Sequence, residues 1–149
     1  MQPQKIRTLS LPNPLKRYAV IATVSMVIGM GLYGCGESKI SQCNKIVTVA
    51  NKTKALPVPK DVSGFVPLAE NIDLIRTELQ AIPVQEAKLK ELQGQLLGMY
   101  GDAAQSLKAQ AKATEAKDND ALAKAKQDLE SAASKENDIA DRLNALCSK

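Results

Sequence analysis

The chain contains no histidine and no tryptophan, and it has one phenylalanine and three tyrosines among its 149 residues. Beyond the apolar segment described below, its aromatic residues are Phe65 and Tyr100. Histidine is the side chain most often used for proton transfer and metal binding near neutral pH. The cysteines, three in number, lack the C-x-x-C spacing of a closed zinc site. The composition therefore argues against an enzyme, and we expect neither a cofactor nor a metal ion.

Most of the chain carries no net charge, although the formal net charge of the whole sequence is +4. Four of the 20 basic residues, and none of the 16 acidic ones, precede the apolar segment: Lys5, Arg7, Lys16 and Arg17. From Cys35 onward, 16 basic residues are therefore balanced by 16 acidic ones. Since proteins that bind nucleic acids present an excess of positive charge, we expect no nucleic-acid partner.

Residues 1–34 have the pattern of an export signal. A basic region ends at Lys16-Arg17, an uncharged apolar run covers residues 19–33, and the small residue Gly34 precedes Cys35. The run is shorter than the about 20 residues that a membrane-spanning helix needs, so a cleaved signal peptide is favoured over a retained signal anchor. Either way, the basic region stays in the cytoplasm and the rest faces the periplasm or the cell exterior.

The residues Leu32-Tyr33-Gly34-Cys35 resemble the lipobox of bacterial lipoproteins, in which the cysteine becomes the acylated N-terminus after cleavage. Tyr33 is larger than the residue usual at its position. The resemblance implies a small lipoprotein that is attached to a membrane through lipid on Cys35. A cut after Gly36 is an alternative, and it would release a soluble protein that begins at Glu37.

If Cys35 carries lipid, Cys43 and Cys147 are the two cysteines that remain, and an exported protein meets an oxidising compartment. They lie near the two ends of the mature chain, so a disulfide between them would join its termini. Two buried free thiols are the alternative.

The spacing of apolar residues predicts an all-α fold in a single helical domain, residues 35–149. We expect helices over about 38–54, 67–117 and 119–147, a loop over 55–66, and a kink in the second helix near Pro83. Two separate helices on either side of Pro83 are the alternative. The last two helices form an antiparallel, coiled-coil-like hairpin around Asp118, and the short first helix packs at its base, giving a three-helix bundle. Glu136 is the one polar residue in the heptad seam of the last helix.

These patterns favour a non-enzymatic interaction or scaffold protein of the cell envelope, with an envelope protein as partner and self-association as a further option. A structural tether to the cell wall through Lys149 is an alternative, as is a signal-anchored protein with an external binding domain. Phe65 and Tyr100 each adjoin a glycine, so either could line a small binding site, although core packing is the favoured interpretation.

Overall fold

The computed structural model describes residues 37–148. This part of the chain contains no strand, which confirms the all-α prediction. Two short 3₁₀ turns lie between the first two helices, at Asn51–Ala55 and Val62–Gly64. The four α-helices are α1 (Lys39–Ala50), α2 (Phe65–Gln80), α3 (Ala87–Glu115) and α4 (Asn119–Cys147).

The two long helices α3 and α4 form the predicted antiparallel hairpin. Asp118 begins α4 by accepting a 2.9 Å hydrogen bond from the backbone N–H of Ala121, as expected for an N-cap. Lys117 takes the left-handed conformation with φ of 55°. This conformation lets the N–H of Asp118 bond back to the carbonyl of Ala113 at 2.9 Å, a frequent way to end a helix. The chain therefore reverses direction within a few residues.

The prediction of one kinked helix over residues 67–117 is wrong. Helix α2 ends at Gln80, residues 81–86 form a connection that contains Pro83, and α3 begins at Ala87. Proline has no backbone N–H to donate and disfavours helical geometry in the residue before it. Helix α2 folds back along α3, so residues 37–148 form a four-helix bundle rather than a three-helix one.

A buried glutamine holds this reversal in place. The side-chain amide of Gln93 on α3 donates to the carbonyl of Leu79 at 2.7 Å and to that of Ile82 at 2.9 Å. Leu79 lies in the last turn of α2 and Ile82 in the connection that follows it, so both bonds fall where the chain turns from α2 to α3. Gln93 therefore fixes how α2 lies against α3.

Helix α1 packs at the base of the hairpin, as predicted. Gln42 is only 2% exposed, and its side-chain oxygen accepts hydrogen bonds from the backbone N–H groups of Gln85 at 2.7 Å and Glu86 at 3.3 Å. The same end of the bundle contains the largest fully buried side chains, which are those of Ile46, Leu79, Leu89 and Cys43. Across residues 37–148, none of the helices combines the length and hydrophobicity that crossing a bilayer requires.

Candidate ligand-binding cleft

An apolar cleft of about 570 Å³ opens on one side of the bundle, nearer the hairpin turn than the base. Its outer wall is the segment of residues 56–62, here called the strap, and helices α2, α3 and α4 form the rest. Most of its surface is contributed by aliphatic, proline and aromatic side chains: Leu56, Pro57, Val58, Pro59, Val62, Phe65, Leu68, Ile72, Met99, Ala103, Leu107, Leu122, Leu129 and Ala133.

Proline and glycine determine the course of the strap. Pro57 and Pro59 cannot donate backbone hydrogen bonds, so this segment does not join a helix. A 3₁₀ turn follows, and Asp61 caps it by accepting a 3.0 Å hydrogen bond from the N–H of Ser63. A Cβ atom on Gly64 would lie 2.9 Å from the Cβ of Pro59. Only glycine therefore allows the strap to fold so closely over the start of α2.

The cleft is elongated. It follows α3 from Met99 to Thr114 and α4 from Glu136 back to Leu122. At 1.5 Å per helical residue, the two stretches are about 21 to 23 Å long.

Tyr100 lies at the end of the cleft nearer the base and is 3% exposed. Its hydroxyl is buried and makes no well-formed hydrogen bond within residues 37–148. Burial, followed by the negative charge of Glu136, raises the pKa of Tyr100, and the nearby Thr53 hydroxyl offsets part of that rise. Thr53 donates its own proton to the carbonyl of Ala50 at 2.8 Å. The Tyr100 hydroxyl is thus closed off from solvent beside Thr53.

Glu136 and Lys54 also line the cleft at this end. Burial raises the pKa of Glu136 to about 7, and the positive charge of Lys54 opposes that rise. Burial likewise lowers the pKa of Lys54, and the charge of Glu136 opposes that change. Each group is therefore partly desolvated, and the charge of the other offsets only part of the cost of desolvation. At neutral pH, Glu136 populates both its neutral and its charged form.

The charges around the cleft cancel. Three lysines and three carboxylic acids line it: Lys54, Lys60, Lys126, Asp61, Glu130 and Glu136. At the end nearer the hairpin turn, the polar lining includes Gln110, Thr114 and Lys126. Gln110 is buried and donates a single long hydrogen bond of 3.5 Å to the carbonyl of Ala125. The cleft therefore combines an apolar middle, polar ends and no net charge.

The predicted cysteine pair is joined by a disulfide, at the end of the bundle away from the hairpin turn. The Cα atoms of Cys43 and Cys147 are 5.8 Å apart, and the residues are separated by 104 positions in sequence. The bridge attaches the end of α4 to α1. Cys35, the lipobox-like residues around it and Lys149 lie outside the described residues.

Phe65 and Tyr100, the two aromatic residues that the sequence offered for a small site or for the core, lie on the same cleft. Tyr100 belongs to the buried core as well. Glu136 could have been found as the polar exception in a heptad seam. The contributions of Thr53, Lys54 and the strap carried no recognisable signal, because a prolyl connection between helices is ordinarily only a loop.

No protein-family model, no curated protein and no solved structure matches this chain. Among residues 37–148, no group of three or more cysteine or acidic side chains is placed to hold a metal ion. A preformed apolar cavity of this volume with a few polar groups at its ends is typical of a binding site for a small molecule or an extended chain.

Proposed function

We propose that this chain is an exported, membrane-anchored helical binding protein of the cell envelope, that it acts without catalysis, and that the cleft is its binding site. The observation that carries the proposal is the preformed apolar cleft, an open space of about 570 Å³ that is lined mostly by apolar side chains. A cavity that is not filled by the protein's own side chains gives up packing contacts. A bound partner would restore them.

The disulfide supports the export and anchoring parts of the proposal. Stable disulfides are typical of proteins outside the cytosol. Because Cys43 pairs with Cys147, Cys35 is the remaining one of the three cysteines, which suits its role as a lipid attachment site. The bridge also keeps the end of α4 beside α1, so a tether that reaches away from the membrane through Lys149 gains no support from this arrangement.

The mass of the intact protein extracted from membranes tests the anchor. We expect a chain that begins at a triacylated Cys35, in which Cys43 and Cys147 react with an alkylating reagent only after reduction. A chain that keeps residues 1–34 would mean that the protein is attached by a signal anchor instead of by lipid. A chain that begins at Glu37 would contradict membrane attachment.

Site-specific photo-crosslinking in living cells tests the cleft. A photo-reactive benzoylphenylalanine is introduced at Val58 in the strap, which is 56% exposed, and at Leu74 on the outer side of α2, which is 63% exposed. We expect an adduct at residue 58 that is several-fold more abundant than any adduct at residue 74. The two positions are matched in exposure, so equal labelling would mean that the cleft is not the binding site.

A further inference from the structure

We propose that the strap, residues 56–62, is a movable wall of the cleft, held against α3 and α4 while Glu136 is protonated and released when Glu136 loses its proton. Its movement would control when a partner can enter or leave the cleft. The inference rests on the proposed function only for this purpose of the movement, since the movement itself needs no ligand.

The strap is weakly attached to the two long helices. None of its residues is buried, and Pro57, Val58, Lys60 and Asp61 are exposed. Across the part of the chain that the structure describes, no hydrogen bond and no ion pair joins residues 56–62 to α3 or α4. Its hydrogen bonds are local, such as the 3.2 Å bond from the N–H of Leu56 to a carbonyl in the preceding turn. Segments with these properties open at a low cost in free energy.

Both ends of the strap are attached, so it moves as a bridge between two fixed points. At one end, the 3₁₀ turn Asn51–Ala55 continues directly from α1. At the other end, Phe65 begins α2 and packs against a buried cluster. Gly64 lies at this second junction with ordinary backbone angles, φ of −82° and ψ of −8°. Its lack of a Cβ atom is what lets Pro59 come so close.

Glu136 lines the cleft at the end where the strap begins. Lys54, which precedes the strap, lines the same end. Glu136 takes part in none of the ion pairs and side-chain hydrogen bonds found among residues 37–148. A charged carboxylate in such a place lacks the partners that water would provide, whereas its protonated form loses much less. The closed cleft therefore favours the protonated form, which agrees with burial as the largest cause of the raised pKa of Glu136.

The groups that face Glu136 come from two elements. Lys54 comes from the 3₁₀ turn, and its positive charge offsets only part of the rise in the pKa of Glu136. Tyr100 comes from α3 and stays neutral, because burial raises its pKa. The other charged side chains of the lining are Lys60, Asp61, Lys126 and Glu130. In the described chain, α1 and α2 contribute no titratable side chain to this lining. Burial thus outweighs the attraction of Lys54, and charging Glu136 favours a state in which water reaches it.

The strap is the neighbour of Glu136 that can move most easily. Lys135 pairs with Asp102 on α3 at 3.0 Å, and the disulfide attaches the end of α4 to α1, so α4 is held from two sides. Lifting the strap lets water reach Glu136, and the open state then binds the proton less tightly than the closed state. Opening is therefore favoured as the pH rises from about 4.5 to about 7, by up to about tenfold for each pH unit.

Quenching of an introduced tryptophan by acrylamide tests the movement. The natural sequence contains no tryptophan, so in Leu56→Trp the fluorescence reports on the strap, where residue 56 lines the cleft. For the full chain in detergent micelles, we expect the quenching constant to rise about twofold or more between about pH 5 and about pH 8. Val62→Trp, at the other end of the strap, should give the same rise. Leu74→Trp, on the outer side of α2 and 63% exposed, should give none.

Three substitutions in the Leu56→Trp protein connect the movement to Glu136. Glu136→Gln keeps the side chain neutral and should hold the quenching at its low value at both pH values. Glu130→Gln, at an exposed position on the same helix, should leave the rise intact. Gly64→Ala adds a Cβ atom that would lie 2.9 Å from the Cβ of Pro59, so it should displace the strap and give high quenching at both pH values.

Two results would overturn the inference. One is quenching in Leu56→Trp and Val62→Trp that does not change with pH, and the other is a rise that survives in Glu136→Gln. Circular dichroism of each variant shows whether the helices remain intact.

The movement and the binding site can fail separately. Constant quenching, together with an abundant cellular adduct at residue 58, would remove the movable strap and leave the cleft as the binding site. A rise that Glu136→Gln abolishes, together with equal labelling at residues 58 and 74, would leave the movement standing and remove the binding function.

Discussion

Reduction of the disulfide between Cys43 and Cys147 is expected to lower the free energy of unfolding by about 2 to 5 kcal/mol. The bridge closes a loop with a sequence separation of 104 residues, and the chain-entropy model assigns about 4.7 kcal/mol to a 100-residue loop. Measured effects are often smaller, because a reduced unfolded chain retains some structure. Urea unfolding of the protein with and without a reducing agent gives the difference directly.

The variant in which both cysteines become alanine is the control for packing. Cys43 is 1% exposed, so its replacement also removes buried sulfur from the core. If the cross-link itself stabilises the fold, the reduced wild type loses most of the stability that the double variant loses. Equal unfolding midpoints for the oxidised and reduced protein would show that the bridge contributes nothing.

The second large effect concerns Glu136, whose pKa is about 7 in the folded protein against an ordinary 4.5. Between these values the folded state binds more protons than the unfolded state, so stability falls as the pH rises from about 4.5 through 7 and then levels off. The full difference in pKa corresponds to about 3 kcal/mol. Because the side chain is partly open to solvent in the cleft, we expect about 1 to 3 kcal/mol.

Glu136→Gln removes this titration, and the variant should be more stable than the wild type at pH 8 and nearly equal to it below pH 4.5. The difference in unfolding free energy between the two proteins is measured across this range. Glu37 and Asp61 have lowered pKa values, which make stability rise with pH. Because both proteins contain these two residues, their contribution cancels in the difference. Glu130→Gln, which removes an exposed carboxyl from the same helix, is the control for the substitution itself. A flat difference for Glu136→Gln would contradict the assignment.

Helix α4 and its pairing with α3 could be predicted from the sequence because local patterns determine them. Ala125, Leu129, Ala132, Ile139 and Leu143 recur at heptad spacing, and all five are buried. A turn-forming segment preceded this run, so two long amphipathic helices had only one compact arrangement. The position of α1 followed from the two cysteines, because a disulfide requires their Cα atoms to come close.

The separation of α2 from α3 could not be predicted from periodicity. Ile82 and Leu89 are seven positions apart, so the apolar phase is the same whether the chain continues through Pro83 or folds back. What decides between the two is burial in three dimensions. By folding back, the chain packs Ile75 and Leu79 into the same core as Leu92 and Leu96. A window of local sequence contains no information about that gain.

The cleft could not be predicted from the sequence, for a related reason. Its walls come from four separate parts of the chain. The sequence singled out Tyr100 as an aromatic residue beside a glycine and Glu136 as a polar interruption of a heptad seam, but nothing in it placed the two together. The burial of the Tyr100 hydroxyl is a property of the packed molecule, because Thr53 and Glu136 come near it from distant parts of the chain.

The bond between Cys43 and Cys147 has one more consequence, for the response of the molecule to proteases. It turns the segment from residue 43 to residue 147 into a closed covalent ring. Cleavage at one point inside this ring, for instance after the exposed Lys60 in the strap, opens the ring but releases no fragment. The two pieces stay attached to each other, and to whatever anchors the N-terminal end, until a reductant separates them.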